Sequence, residues 1–243
     1  IRHHLYGFHD VKKNFSTGNW LKLVNKKIKD LQRRKKTPIL VGGTGLYFKA
    51  LIDGLVNIPN ISAKLRNQTR NMQKKLGQKK FYEKLLRLDP LLIGKINPTD
   101  SQRSIRAYEV KKFTKKSLYE WFKKTKSNFL EADFLKLYID YPRQELIERI
   151  NQRTEKMIEN GAIKEVKDFI KLKVRKDKSV NKAIGVVEIK DFLNKEKNLE
   201  QIKEKIAIKT RQYAKRQSTW ARGNMMSWIK LKPQDINKFL KKI

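Results

Sequence analysis

Apolar residues in this chain recur mostly every three or four positions, and three short stretches break that rhythm. Residues 16–35 put Leu21, Leu23, Val24, Ile28 and Leu31 on one face, which predicts an amphipathic helix. Ile39, Leu40 and Val41 form an apolar, β-rich run that predicts a strand over 38–42, and a helical pattern resumes at 45–54. From 57 to 130 the period is helical throughout. The Asn-Ile-Pro-Asn stretch at 57–60 marks a boundary, Asn-Pro-Thr-Asp at 97–100 opens a further helix with cap residues, and 115–122 reads as a short helix. Residues 134–141 predict a second strand, ended by Pro142. Helices are expected at 143–160, 162–173, 182–194 and 198–219, and 227–231 is a candidate last strand. Strands alternating with helices predict a parallel sheet with ligands at the carboxyl ends of its strands.

The junction at 42–45 carries candidate chemistry. A strand, a Gly-Gly-Thr-Gly turn and a helix start follow one another directly. Gly42 and Gly43 let the backbone approach a ligand closely. Free N–H groups at a helix start favour an anion, and Thr44 adds a hydroxyl. The turn suits a phosphate or pyrophosphate ester. It is not a Walker A element, because Gly43 is followed by Thr-Gly-Leu and not by Lys-Ser or Lys-Thr. Read without any other motif, the turn is equally a glycine-rich connection that only permits tight packing.

Charge narrows the partner. The 243 residues hold 59 Lys+Arg against 24 Asp+Glu, a formal net charge of +35 spread along the chain. A polyanion, RNA or DNA, fits that balance. Abundant Lys, Asn and Ile are also what an AT-rich genome produces, but that bias works against the arginine clusters. With no cysteine, disulfides and Cys-ligated zinc are excluded. His3, His4 and His9 crowd the start, and adjacent His3 and His4 diverge on any regular element, so a structural role is expected and no metal site. No apolar run reaches the ~18 residues of a membrane span and no signal peptide is visible, so the expected location is cytoplasmic.

The clearest binding element is the helix near the end. Arg211, Lys215, Ser218 or Thr219, and Arg222 share a face at helical spacing. Such a stripe suits phosphates, Gln212 and Gln217 can read base edges, and Tyr213 and Trp220 can stack on bases. For Lys205 and Lys209 a solvated basic face is the simpler reading. Helix 100–112 sets Gln102 and Arg106 one turn apart with Arg103 beside them, and Glu109 offers Arg106 an intrahelical ion pair.

Several ordered motifs resemble the tRNA dimethylallyltransferase (tRNA isopentenyltransferase) family. VGGTGLY at 41–47 matches that family's segment of the same wording. Residues 100–110, DSQRSIRAYEV, look like its D-x-Q-R-x-x-R-A-x-E-V. Residues 149–166 fit R-I-x-x-R-x-x-x-M-x-x-x-G-x-x-x-E-V, and Ala183, Ile184 and Gly185 fit A-I-G-Y-K-E. Residues 210–220 fit T-R-Q-x-A-K-R-Q-x-T-W, and His3, His4 and Leu5 fit H-H-L. The resemblance covers residues 1–225.

It implies an α/β fold, helix-rich overall. The core would be a parallel sheet like that of P-loop nucleotide kinases (1–56 and 131–243), and residues 57–130 a helical insertion domain contacting tRNA. It implies transfer of a dimethylallyl group from dimethylallyl diphosphate, with Mg²⁺, to the exocyclic amine of the adenosine 3′-adjacent to the anticodon. Thr44 and Arg211 are then catalytic. Gly42, Gly43 and Thr44 form the pyrophosphate-side turn. Arg66, Gln102, Arg103, Arg106, Asn181, Ile184, Gly185, Gln212, Lys215, Arg216, Gln217, Trp220 and Arg222 contact the anticodon stem-loop. Val186 stands where the family has Tyr. The expected assembly is a monomer.

The family's G-P-T-x-x-G-K-[ST] loop and its D-S-x-Q segment, which carries the general-base aspartate, are not in these 243 residues. Asp53 and Asp100 sit in other motifs and do not replace that aspartate. A fragment of an active enzyme is expected over a degenerate copy. Rival readings are an adenylate isopentenyltransferase, which needs no long basic surface, a non-catalytic tRNA-binding protein, and a general nucleic-acid-binding protein, which needs no VGGTGLY turn.

Overall fold

A computed structural model describes residues 1–242. Two compact units emerge: Ile1–Phe48 together with the chain from Glu131 onward, and Lys49–Leu130.

The first unit opens with helix α1 (Thr17–Arg33), capped by Ser16, whose hydroxyl accepts the Asn19 N–H at 3.1 Å. Of the five apolar positions on its expected face, Val24 and Ile28 are fully buried. Helix α2 (Gly45–Ile52) begins in this unit and ends in the other. The sheet among the described residues is one parallel pair, β1 (Leu137–Ile139) and β2 (Ile229–Leu231), with Tyr138 opposite Lys230. A parallel pair needs a crossover. Here the crossover is long and helical: α6 (Arg143–Glu159), α7 (Ala162–Lys171), α8 (Val186–Leu193) and α9 (Leu199–Asn224). Ala162, Val166, Ile189, Ile202 and Ile206 make the core where α7, α8 and α9 meet. A short α10 (Ile236–Leu240) follows β2.

The second unit is wholly helical. Helix α3 (Ala63–Leu88) breaks at Gly77 (φ 73°, ψ 165°) and packs on α4 (Ser101–Thr114). A short α5 (Leu118–Phe122) starts in a capping box, where the Ser117 N–H donates to Glu120 at 2.6 Å and the Tyr119 N–H donates to Ser117 at 3.2 Å. Phe81, Leu85, Ala107 and Val110 are sealed at the centre of this unit.

Two expectations are corrected. Residues 38–42 are not a strand: they run without a ladder partner, and Ile39 and Val41 are 77% and 82% exposed. An apolar run becomes a strand only where backbone partners and a covering layer exist, and both described strands pair elsewhere. The helix expected over 182–194 is shortened to α8. Ser179–Lys182 form a 3-10 turn, and Gly185 adopts φ +99°, which a helix cannot contain.

Candidate functional site

In the first unit, the carboxyl end of β1, the start of α6 and one face of α9 enclose a cavity of about 630 Å³. Pro142 both ends the strand and precedes α6, so Asp140, Tyr141 and Arg143 arrive at the rim where a parallel strand delivers ligand-binding residues. From α9 come Arg211, Lys215, Ser218 and Arg222, at intervals of three and four, with Gln212 beside Arg211. Lys230 enters from β2. Leu146, Ile147, Ile150, Ala214, Ala221 and Met225 form the apolar wall.

Five cations, Arg143, Arg211, Lys215, Arg222 and Lys230, thus line one cavity against a single carboxylate, Asp140. Among the described residues none of the five forms an ion pair. Arg211 only reaches Asn151 Oδ1, and Arg222 only Thr219 Oγ1, each at 3.5 Å. Clustered cations that outnumber the carboxylates beside them favour a polyanion, and the apolar wall suits a hydrocarbon group beside it.

A neighbouring face of α9 is used differently. Gln217 and Trp220 lie against the glycine turn. A Cβ on Gly43 would come within 2.2 Å of the Gln217 amide, and one on Gly45 within 2.1 Å of the Trp220 ring. The turn is held to α9 by close packing, and Thr44 stays exposed. Tyr47 stacks on Trp20 at 4.4 Å and Phe48 meets Trp228 edge-on at 5.4 Å, which anchors the start of α2. Tyr213, 41% exposed, lies under the Arg216 guanidinium at 5.6 Å, and Gln212 and Arg216 are exposed.

The 179–185 loop is tightly bound. The Asn181 amide donates to the Arg175 carbonyl at 2.8 Å and its oxygen accepts from Lys190 at 3.3 Å. Ile184 is exposed, and Val186 packs on the α7–α8–α9 core, a place a larger aromatic would fill differently. The buried Glu188 accepts the Gly185 N–H at 2.9 Å and pairs with Lys209 of α9. Burial pushes the Glu188 carboxyl up, but Lys209 and the N–H groups of residues 188 and 185 outweigh it and leave it below the usual glutamate value. Lys209 is therefore not part of a purely solvated basic face: a buried carboxylate needs its charge.

In the second unit Gln102 and Arg103 are exposed on the first turn of α4. Arg103 leans on Asp100 at 3.4 Å and Arg106 on Glu109 at 3.6 Å. Asp100 caps α4 by accepting the Arg103 N–H at 2.9 Å, and Asp53 is paired with Lys49 at 2.8 Å, so both carboxylates have structural work. Arg66 reaches Asn60 at 3.5 Å. Among the described residues, no three His, Asp or Glu side chains gather to hold a metal. His9 instead packs among aromatics, 4.7 Å from the Phe15 ring.

The IPP transferase family model matches residues 1–224. The chain belongs to the IPP transferase family. A tRNA dimethylallyltransferase of Pelagibacter ubique (strain HTCC1062) is 59% identical over 243 residues, all of this chain and 78% of that protein. One from Rickettsia massiliae (strain Mtu5) is 40% identical over 240 residues, covering 98% of this chain and 66% of its own length. Among solved structures, the full-length tRNA isopentenylpyrophosphate transferase of Bacillus halodurans superposes with a TM-score of 0.64 at 29% identity, over 100% of this chain and 76% of that one. A eukaryotic dimethylallyltransferase acting on tRNA gives 0.77 at 26% identity, over 97% and 62%. Of the cations that line this IPP transferase's cavity, the sequence pointed to Arg211, Lys215 and Arg222 and not to Arg143 and Lys230. Arg143 follows a strand end directly, which was a usable signal. Nothing in the sequence around Lys230 distinguishes it from its many lysine neighbours.

Proposed function

We infer that this chain acts in tRNA modification as a tRNA dimethylallyltransferase. The single observation that carries the reaction is the 59% identity to an enzyme of that name along the entire chain. The exocyclic nitrogen of an adenosine attacks the allylic carbon of dimethylallyl diphosphate. The carbon–oxygen bond breaks, pyrophosphate leaves with the bonding pair, and the alkylated nitrogen, cationic after the new bond forms, gives up its proton to water.

The five-cation cavity supports placing the diphosphate beside Arg211, Arg143 and Lys215, with the dimethylallyl group against Leu146, Ile147 and Ile150. Cations fixed around the leaving group stabilise the charge that develops on it. The apolar wall keeps water from the allylic carbon. Mg²⁺ characteristically needs only one or two carboxylates beyond the phosphates it rides on, and Asp140 is the residue that would hold it. When bound, it neutralises charge on the departing pyrophosphate. The target adenosine must leave its stack to reach such a cavity.

The tRNA surface is assigned to the exposed side of α9, with Gln212, Arg216 and Arg222, to the 179–185 loop with Asn181 and Ile184, and in the helical unit to Arg66, Gln102, Arg103 and Arg106. That unit, 49–130, is the tRNA-contacting insertion in this reading. The core is read as the P-loop nucleotide-kinase type, with parallel β1–β2 pairing as its support.

The test incubates the protein with unmodified tRNA, labelled dimethylallyl diphosphate and Mg²⁺. Label should enter the RNA only when the adenosine 3′ of the anticodon is present. Binding of tRNA without label transfer would favour a non-catalytic tRNA-binding role, and transfer to free AMP in place of tRNA would overturn the substrate.

A further inference from the structure

Among the described residues of the first unit, Glu188 is the one buried carboxylate, and the chemistry above makes no use of it. It is 1% exposed, in the first turn of α8. One interaction ties it to the backbone: the Gly185 N–H donates to its carboxylate at 2.9 Å. The other ties it to a different element: the Lys209 amine, half exposed, pairs with it from α9. Lys209 stands two residues before Arg211, the first of the α9 residues assigned to the cavity and the RNA face. Gly185 ends the loop that holds Asn181 and Ile184. That loop is otherwise fastened to neighbours on its own side, through Asn181 to the Arg175 carbonyl and to Lys190. The polar link from the loop end to α9 is therefore Lys209–Glu188–Gly185.

The apolar contact between α8 and α9, through Ile189, Ile202 and Ile206, is non-directional and tolerates small sliding. A buried ion pair is directional. Its Glu188 end is buried, so breaking the pair leaves an uncompensated charge there, and the pair favours one register of α8 on α9 over its neighbours.

We propose that Glu188 and Lys209 are positioning residues that set the register of the 179–185 loop against the RNA-contacting face of α9, so that both meet one RNA at once. The proposal rests on the reading of these two segments as tRNA contacts.

The test measures the dissociation constant for an unmodified anticodon stem-loop RNA, and the melting temperature, for five single variants and one double. Glu188→Gln and Lys209→Met should each weaken binding about tenfold, as expected when one of two cooperating segments is lost from the joint contact. The double substitution should weaken it no further, because one link is broken in each case. Lys209→Arg should restore near-normal affinity. Asn181→Ala and Arg216→Ala, one on each of the two segments read as RNA contacts, serve as references. Wild-type affinity for Glu188→Gln and Lys209→Met, with weakened references, overturns the proposal and leaves the RNA reading intact. Unchanged binding in all of the variants overturns the RNA reading itself. A lowered melting temperature with unchanged affinity of the folded protein shows a merely stabilising pair and also overturns it. If Glu188→Gln does not fold, the half-exposed Lys209 carries the same comparison through its Met and Arg variants.

Discussion

At the residue scale, chemistry and packing divide neighbouring positions of α9. Arg211 sits on the cavity wall with only a long contact to Asn151, so its charge is available to a ligand. Arg211→Ala should lower prenyl transfer by about a hundredfold, the usual loss for removing one group that stabilises developing charge, with an unchanged melting curve. Thr44→Ala, at an exposed position, should likewise lower turnover without unfolding the protein. A normal rate for Arg211→Ala would sink the placement of the pyrophosphate, and a normal rate for Thr44→Ala, whose side chain does not line the cavity, would remove the glycine turn from the reaction. The glycines of the turn answer to space. A methyl on Gly45 meets the Trp220 ring, which cannot yield without moving the α2 start, so Gly45→Ala should cost about 1–3 kcal/mol by overpacking. A methyl on Gly43 meets only the end of Gln217, a flexible chain that can swing away, so Gly43→Ala should cost clearly less. Thermal unfolding of the two variants side by side checks that order.

At the element scale, the α8–α9 junction joins a core to a loop. Glu188 titrates below its ordinary value of 4.5, so the folded state holds its carboxylate more tightly deprotonated than the unfolded chain does. The sign follows from linkage: the stabilisation is present at neutral pH and is lost as pH falls below about 4.5 through the lowered folded value. Denaturant unfolding from pH 7 down to pH 3 should show the wild type losing more stability than Glu188→Gln across that acid range. Equal slopes would mean Lys209 does not hold this charge. The elements themselves were largely legible. Ser16, Ser62, Asp100, Ser117 and Asn198 each cap a helix by accepting an N–H, and the helical period behind each is plain in the sequence. The strand expected at 38–42 failed because a ladder is a property of two segments, and the apolar period of one does not report whether the other is beside it.

At the scale of the molecule, charge is the dominant feature. With a net charge of +35, affinity for tRNA should fall steeply with salt, by about a thousandfold or more between about 50 and about 200 mM if some six or more phosphates are neutralised. A titration of binding against salt that stays flat would contradict a polyanionic partner. Sequence alone determined the things that depend on local order along the chain: most helix positions, the excess of positive charge, the arginine stripe of α9, and through its ordered motifs the family. Tertiary structure alone decided what depends on residues distant in sequence meeting in space. Arg143, Arg211 and Lys230 come from three elements to line one cavity. Gln217 and Trp220 turn toward a glycine turn more than 170 residues earlier. Lys209, one more lysine by its sequence, answers a carboxylate that burial leaves in need of charge. Periodicity records which face a residue occupies on its own element; only packing determines what stands opposite that face.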